Sequence, residues 1–277
     1  MLKLFEREIN ALKRRLIILA PPGATAPESF TNVIVDNDEH RDFKQALQRF
    51  RGNIYMRDGA LRRDQLSSDG RHVTPEDDQA WHLLLRDNDE DIAGCIWYLE
   101  HNDSPKFDEL RVHGCPLTTQ SDWKDKLRKA VTSEVSRARR ERIRYAEVGG
   151  WAVACHAQCV SAALLLVLGT YSLSQLAGGA LVMATATMRH SSAKILRRLG
   201  GSPFETDGTE IPSYYDERYE CEMELLKFDT RRPASRYADL VDLINRNLTD
   251  VQIIATEAAE SRVPTGVHAG QPMWALG

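Results

Sequence analysis

Residues 145–188 read YAEVGGWAVACHAQCVSAALLLVLGTYSLSQLAGGALVMATATM, and this stretch decides the fold class. It contains no Asp, Glu, Lys or Arg after Glu147. Segments 145–154 and 180–188 have strand-like composition, and the apolar segment between them, 160–177, is long enough for a helix. With a short helix and a further strand following, the order strand, helix, strand, helix, strand predicts an α/β fold.

The apolar helix also raises the question of a membrane. A spanning helix needs roughly 20 consecutive apolar residues. Ser161, Thr170 and Ser174 dilute this segment, and Gly178 and its neighbouring glycine end it. We interpret it as a buried core helix, because such helices are apolar on every side. A membrane anchor formed by residues 160–176 remains the alternative.

Working outward, periodicity and turn residues predict the other elements. Strands are expected at 33–35, 80–85, 92–99, 107–113 and 220–229, helices at 39–51, 121–144, 191–199 and 234–260, and a long polar loop at 57–79. The N-terminus has apolar residues at helical spacing up to the proline pair at Pro21. It is therefore expected to form an amphipathic helix that packs on the domain, or on a second subunit in a homodimer.

Composition narrows the classes of function. The chain has 277 residues, 42% apolar and 27% charged, with a formal net charge of -4. These values are typical of a soluble globular protein and argue against a nucleic-acid binder. Five cysteines without paired spacing, and no signal peptide, favour reduced thiols in the cytoplasm. Cys155, His156 and Cys159 lack a second ligand pair, so no metal site is expected.

Two motifs resemble a known family. The run Ser191–Gly201 (SSAKILRRLGG) resembles the short helix and glycine turn after the fifth strand of GNAT acyltransferases. The run Glu147–Val153 (EVGGWAV) is similar to the Glu-x-Ser-Arg-Phe-Ala-Val segment of acyl-homoserine-lactone (autoinducer) synthases, bacterial GNAT relatives, as are the long-chain N-acyl amino acid synthases. The resemblance covers roughly residues 40–229. It implies a mixed central sheet with splayed parallel strands, flanked by helices.

The same resemblance suggests how the chain is organised. Residues 1–20 would form the N-terminal helix and 21–30 a linker. The GNAT-like acyltransferase domain would occupy 31–230, and 231–277 would form a helical extension with a mobile tail.

The resemblance also implies a donor site. In this family an acyl-CoA or acyl-carrier-protein thioester lies between the two splayed strands. Backbone groups near Val153 and Ala154 would hold its pantetheine arm, and the loop from Gln158 to Ser161 its phosphate. Ser161 stands where the family loop has glycine, and an ordinary helix N-cap is the alternative. Trp151 would line the channel, or belong to the core.

Acidic residues are the candidates for the chemistry. Amine acylation needs a base for the attacking nitrogen, and the resemblance gives this role to Glu147; a structural ion pair is the alternative. Asp77 and Asp78 stand where the synthases carry acids that meet the amine. They would hold an ammonium acceptor, unless they belong to a solvated loop. No metal takes part in this reaction.

Three positions depart from the family. The synthase arginines correspond to Gly150 and Trp97 here, and the usual GNAT general-acid tyrosine corresponds to Leu196. Homoserine-lactone synthesis itself is therefore not expected, and the acceptor should be another small amine. The alternative is an inactive GNAT-fold protein that binds acyl thioesters or protein partners.

The helix expected at 121–144 is rich in cations. It carries Lys124, Lys126, Arg128, Lys129, Arg137, Arg139, Arg140, Arg142 and Arg144. Such a face suits docking of an acidic acyl carrier protein. A solvated face with internal ion pairs is the alternative.

Overall fold

The structure is a computed structural model that describes Ile9 and residues 12–101, 104–154 and 159–257. Its helices are α1 (Leu12–Arg15), α2 (Asn37–Arg57), α3 (Lys124–Glu141), α4 (Cys159–Leu176), α5 (Ser192–Arg198) and α6 (Ser235–Leu248). Its strands are β1 (Leu16–Leu19), β2 (Val33–Val35), β3 (Trp81–Arg86), β4 (Ile92–His101), β5 (Arg144–Val153), β6 (Ala180–Thr187), β7 (Ser202–Pro203), β8 (Glu205–Thr206), β9 (Thr209–Glu210), β10 (Tyr214–Asp216), β11 (Cys221–Asp229) and β12 (Gln252–Ala255).

The strands form one large mixed sheet. Its order is β10-β11-β6-β5-β4-β3-β1-β12-β2, with β7 added beside β11 and β8-β9 as a separate hairpin. The pairs β5/β6, β1/β12 and β12/β2 are parallel, and the other pairs of the large sheet are antiparallel. Helices cover both faces, so the predicted α/β class with a mixed sheet and flanking helices is confirmed.

The apolar helix α4 lies in the core, as the first interpretation predicted. Its residues Leu166 and Leu168 are fully buried in the main hydrophobic cluster, together with Ile244 of α6. Its polar side chains are satisfied inside the protein, since Ser174 accepts from the Tyr98 hydroxyl at 3.0 Å. Across the described ranges, no helix is both long and apolar enough to cross a bilayer. The burial of α4 agrees with the interpretation of residues 160–176 as a core helix.

The opposite face of the sheet carries α2 and α3. Helix α3 has an apolar stripe, since Leu127, Ala130, Val131 and Val135 are buried in a second cluster. That cluster also includes Tyr145 of β5. The side chains of β5 that point to this face are therefore covered by α3 and the segment before it.

Two predicted elements are wrong near the N-terminus and before α3. Leu16–Leu19 was expected to be helical, but it is the interior strand β1, because its four buried apolar residues fit between β3 and β12. Segment 107–113 was expected to be a strand, but residues 107–119 form three consecutive 3-10 turns. Gly114 and Pro116 interrupt any strand there. Residues 1–8, 10 and 11 of the expected N-terminal helix lie outside the described residues.

The C-terminal segment differs from the expected helical extension. The helix predicted from residue 234 ends at Leu248, and Gln252–Ala255 then forms β12. This strand lies between β1 and β2, so the C-terminal segment contributes a strand to the large sheet. The run of branched apolar residues at Ile253 and Ile254 favours a strand over a helix. The expected mobile tail lies outside the described residues.

Candidate functional site

The parallel strands β5 and β6 separate at their C-terminal ends. They pair from Arg144 opposite Ala180 to Val148 opposite Ala184, and no further. Beyond that point β5 continues with β4 as far as Val153, while β6 continues with β11. A gap therefore opens in the middle of the sheet, directly after Glu147 and Val148.

A bulge in β5 lies at the start of this gap. The β4/β5 register shifts between Cys95 and Trp97, and Gly150 has a φ of +61°, which glycine adopts without strain. The Trp97 ring lies against the bulge so closely that a Cβ on Gly149 or Gly150 would overlap it. Two of the three departures from the family, Gly150 and Trp97, thus pack directly against each other.

The backbone of β5 has one side turned to the gap. The Ala154 N–H donates to the Ala93 carbonyl at 2.8 Å, so that group is used by β4. Because successive residues alternate in direction, the N–H of Val153 is turned toward the open side. The Trp151 carbonyl accepts from the Tyr55 hydroxyl at 3.4 Å. The Trp151 indole N–H is buried and has no hydrogen-bond partner among the described residues.

The expected phosphate loop is described only in part. Gln158 lies outside the described residues, as do Cys155 and His156. Helix α4 begins at Cys159, so Ser161 is the third residue of the helix and not its N-cap. Its side chain is partly exposed.

Glu147 is buried next to the point where the strands separate. It is 3% exposed, and its carboxylate accepts from the Arg111 backbone N–H at 2.9 and 3.2 Å. His101 Nε2 lies 3.9 Å from Oε2 of Glu147. The Arg111 guanidinium turns away to Glu76 at 2.7 Å and lies over the Trp97 ring. Among the described residues, no lysine or arginine forms an ion pair with Glu147.

Asp77 has a different environment. Its carboxylate pairs with Arg51 at 2.8 Å, and both side chains are 1% exposed. It also accepts from Gln48 at 3.0 Å and from the Thr74 N–H at 2.9 Å. Desolvation is the largest effect and opposes ionisation, but Arg51, the Thr74 N–H and His82 together outweigh it and lower the pKa of Asp77. Burial lowers the pKa of the adjacent His82 to about 4.

Asp78, the other acid expected at the amine, is on the surface. Its side chain is 68% exposed and pairs with Lys44 at 2.6 Å. It also lines a large surface cavity of about 1050 Å³. A smaller cavity of about 640 Å³ lies alongside, because His101, Arg144 and Ala177 line both. Both cavities are lined by the first residues of β5, at the opposite end of that strand from Val153.

The cations of α3 divide into two groups. Several are neutralised in the structure, with Lys129 paired to Asp207, Arg128 to Asp108, Arg137 to Glu134 and Arg144 to Glu100. Arg139, Arg140 and Arg142 are exposed and form no ion pair with any described residue. These three arginines cluster at the C-terminal end of α3, while Lys124 and Lys126 at its N-terminal end are also exposed and form no ion pair with a described residue.

Sequence reasoning missed three residues at this site. Arg111 and His101 meet Glu147 only through the fold, and Tyr55 reaches β5 from the last turn of α2. The position of His101 could have been found from the antiparallel β4/β5 register, in which it lies opposite Tyr145. Arg111 gave no such signal, because its segment was expected to be a strand.

Comparisons with known proteins identify the fold. No protein-family model matches the chain, and no curated protein sequence matches it. Among solved structures, TofI in a ternary complex with an inhibitor and MTA is similar with a TM-score of 0.50 at 12% identity, over 84% of this chain and 99% of that one. The fold is GNAT-like. The resemblance to the autoinducer-synthase branch is thus confirmed at the level of the fold.

Two further structures are similar at lower scores. BjaI, a CoA-dependent acyl-homoserine lactone synthase with MTA, has a TM-score of 0.49 at 14% identity, over 88% of this chain and 94% of that one. FeeM, an N-acyl amino acid synthase from uncultured soil microbes, has a TM-score of 0.45 at 15% identity, over 72% of this chain and 88% of that one.

Proposed function

We propose that this protein is an acyltransferase that moves an acyl group from a thioester directly to a small amine. The observation that carries the proposal is the separation of β5 from β6 after Val148 and Ala184, with the buried carboxylate of Glu147 one residue before it. The named activities of similar structures, an acyl-homoserine lactone synthase and an N-acyl amino acid synthase, agree with it.

The donor would be an acyl-CoA or an acyl carrier protein in the cytoplasm. Its pantetheine arm would lie in the gap and bond to the open side of β5 at Val153. The unpartnered indole N–H of Trp151 suits a carbonyl of that arm, because a buried donor without an acceptor is unfavourable. The Ala154 N–H would not bind the arm, because it donates to the Ala93 carbonyl. Ala154 would only hold the backbone of β5 in position beside the arm. Gln158 and Ser161 remain candidates for the phosphate.

The acceptor would approach from the face that carries α2. Glu147 would take the proton from the attacking nitrogen, and the new C–N amide bond would form as the thioester C–S bond breaks. The thiolate that leaves would take its proton from solvent. His101 lies next to Glu147 and lines both cavities, so it offers the proton a route to solvent. Asp78 is the candidate to attract the ammonium form of the acceptor. Arg111 covers Glu147, and acceptor entry would require its segment to move.

An acidic carrier protein would dock on Arg139, Arg140 and Arg142, because these cations have no acidic partner within the described chain. Charge reversal of Arg139 and Arg140 should weaken carrier binding and leave acyl-CoA binding unchanged. Equal carrier binding by this variant and the wild type would exclude the docking surface.

A specific observation favours a second function, thioester binding without turnover. Glu147 already accepts two contacts from the Arg111 N–H and is only 3% exposed. Trp97 fills the volume beside the bulge. In that case the gap would hold a donor, but no acceptor would reach the carboxylate.

Native mass spectrometry distinguishes acyl transfer from thioester binding without turnover. The purified chain would be mixed with acyl-CoA species of increasing chain length and with an acylated carrier protein, before and after addition of an amine mixture. A bound thioester that is consumed when amine is added supports transfer, and the product mass identifies the acceptor. A bound thioester that persists supports the binding protein. No bound thioester would exclude both.

A further inference from the structure

The smaller cavity, of about 640 Å³, combines arginines with apolar groups. Arg139 and Arg142, at the C-terminal end of α3, line it together with Arg144 at the start of β5. Val135 and Ile143 contribute apolar surface. A cavity with this lining suits a molecule that has both an anionic and an apolar part.

Two of the three arginines are available to a ligand. Arg144 pairs with Glu100, whereas Arg139 and Arg142 form no ion pair with any described residue. The helix dipole favours cations in the last turn of α3, which accounts for their position. The dipole does not occupy the N–H groups of these two guanidinium groups. A guanidinium binds carboxylate or phosphate through two parallel hydrogen bonds.

Buried polar atoms at the same place lack partners. Tyr145 is 3% exposed, and within the described ranges its hydroxyl has no hydrogen-bond partner. His101 Nε2 is also buried without a hydrogen bond. Both residues line the cavity. Both atoms are enclosed, His101 Nε2 lies 3.9 Å from Glu147, and burial, together with Glu147 and Glu134, raises the pKa of the Tyr145 hydroxyl. An anionic head group therefore belongs at the arginines and not at these atoms.

The larger cavity offers room for an apolar chain. It adjoins the smaller one at His101 and Arg144, which line both. Leu99, Leu173 and Leu176 belong to the apolar part of its wall, which also carries Asp78, Glu100 and Glu109. Its total volume is about 1050 Å³. Ligand pockets for small molecules typically have about 300–1,000 Å³, so the two cavities together exceed what a lone small anion needs.

We infer that these adjoining cavities bind an amphiphilic oxyanion, with its carboxylate or phosphate head at Arg139 and Arg142 and its alkyl chain extending past His101 into the larger cavity. This site lies at the start of β5 and is distinct from the proposed donor gap at the end of that strand. It does not depend on whether the protein transfers acyl groups.

The first experiment measures binding to the full-length chain by isothermal titration calorimetry, with all probes below their critical micelle concentrations. The probes are dodecanoate, dodecyl phosphate, uncharged dodecanol and the short carboxylate butanoate. Saturable binding of dodecanoate or dodecyl phosphate, much tighter than that of dodecanol or butanoate, supports the site, and the tighter of the two identifies the head group. Equal binding of dodecanol, or no binding of either anion, would overturn it.

Two arginines on one helix provide matched variants. Arg139 lines the cavity and the neighbouring Arg140 does not, and both are exposed, so Arg139→Gln and Arg140→Gln should fold alike. Arg139→Gln should weaken anion binding about tenfold, the scale of one charge-assisted hydrogen bond, and Arg140→Gln should leave it unchanged. Carrier docking would instead be weakened by both. Equal anion affinity for both variants contradicts the assignment.

Tyr145→Phe tests the unpartnered hydroxyl. Without ligand the variant should melt at a slightly higher temperature than the wild type, because a buried unsatisfied group is removed. Its affinity for the anion should equal that of the wild type, because the arginines hold the head group. Wild-type affinity in Arg139→Gln would exclude this cavity as the binding site.

Discussion

Asp77 and Glu147 are both buried carboxylates on the same side of the sheet, yet their surroundings differ. Asp77 has an arginine at 2.8 Å, an amide and a backbone N–H. Glu147 has one backbone N–H and a histidine at 3.9 Å. Burying a charge is unfavourable unless it is paired and hydrogen-bonded. Asp77 has a cation and two hydrogen bonds on Oδ2, although its Oδ1 has no partner among the described residues, whereas Glu147 has no cation paired with it.

This difference indicates a structural role for Asp77 and leaves Glu147 as the candidate for the chemistry. A carboxylate held by Arg51 has its pKa lowered and is a poor proton acceptor at neutral pH. Glu147 has no lysine or arginine paired with it among the described residues, and its carboxylate accepts from the Arg111 N–H. Sequence reasoning treated both positions as candidates for amine chemistry. The structure instead assigns Asp77 to the link between α2 and the segment before β3.

The largest expected effect comes from removing the partner of Asp77. Arg51→Met leaves a buried carboxylate without its cation and should lower the free energy of unfolding by about 3–5 kcal/mol. Lys44→Met removes the partner of the exposed Asp78 and should change it by less than about 1 kcal/mol. Urea unfolding measures both. Equal losses would show that Arg51 does not stabilise the buried charge of Asp77.

Glu147→Gln should lower activity strongly and stability only slightly, in contrast to Arg51→Met. An amide oxygen can still accept from the Arg111 N–H, so stability should change little, while acyl transfer should fall by about 10²–10⁴-fold, the usual contribution of a general base. Turnover and urea unfolding measure the two effects. Glu134→Gln, which alters a partly buried carboxylate on α3, is the control. Wild-type turnover by Glu147→Gln would exclude it as the base.

Much of the fold could be predicted from the uncharged stretch, because an apolar helix between two apolar strands has few alternatives. The splayed strands followed from the family resemblance. The surroundings of Glu147 could not be predicted, since Arg111 comes from a segment of 3-10 turns with no periodic pattern. Strand β12 was missed because four residues, Gln252–Ala255, are too few to show a period of two beside a strong helical pattern.

The packing of Trp97 on the bulge can be tested with two glycines of similar backbone geometry. Gly208 has a φ of +73° and open space around it, whereas a Cβ on Gly150 would overlap Trp97. Gly208→Ala should lower the free energy of unfolding by about 1–2 kcal/mol, from backbone strain. Gly150→Ala should lower it by a further ~1–3 kcal/mol from overpacking.

Thermal and urea unfolding of Gly150→Ala in a Trp97→Leu background completes this test. The smaller side chain should remove most of the excess over Gly208→Ala, because only the strain at φ +61° remains. An excess that persists without the indole would mean that the bulge resists a side chain for another reason, and Trp97 would not explain the missing arginine at position 150.

The smallest expected effect is on the free energy of unfolding at acidic pH, and it involves His72 near the Asp77–Arg51 pair. Burial lowers the pKa of His72 from 6.5 to about 4, and Arg51 adds to this. As pH falls below 6.5 the unfolded chain binds a proton that the folded chain does not. Stability should therefore fall by up to about 1.4 kcal/mol per pH unit for each such histidine until the folded group titrates. His82 contributes in the same direction.

His72→Asn should remove one of these two contributions. The Asn oxygen can replace Nδ1 as the acceptor for Arg51, which donates to that atom at 3.2 Å, so the fold at pH 7 should be preserved. Urea unfolding between pH 6.5 and about 5 should then show a shallower loss of stability than the wild type. His113→Asn, at an exposed position, should keep the wild-type slope. An unchanged slope in His72→Asn would mean that His72 titrates in the folded chain near its ordinary pKa. The polar cluster around Asp77 would then be open to water, and the contrast with Glu147 would rest on Arg51 alone.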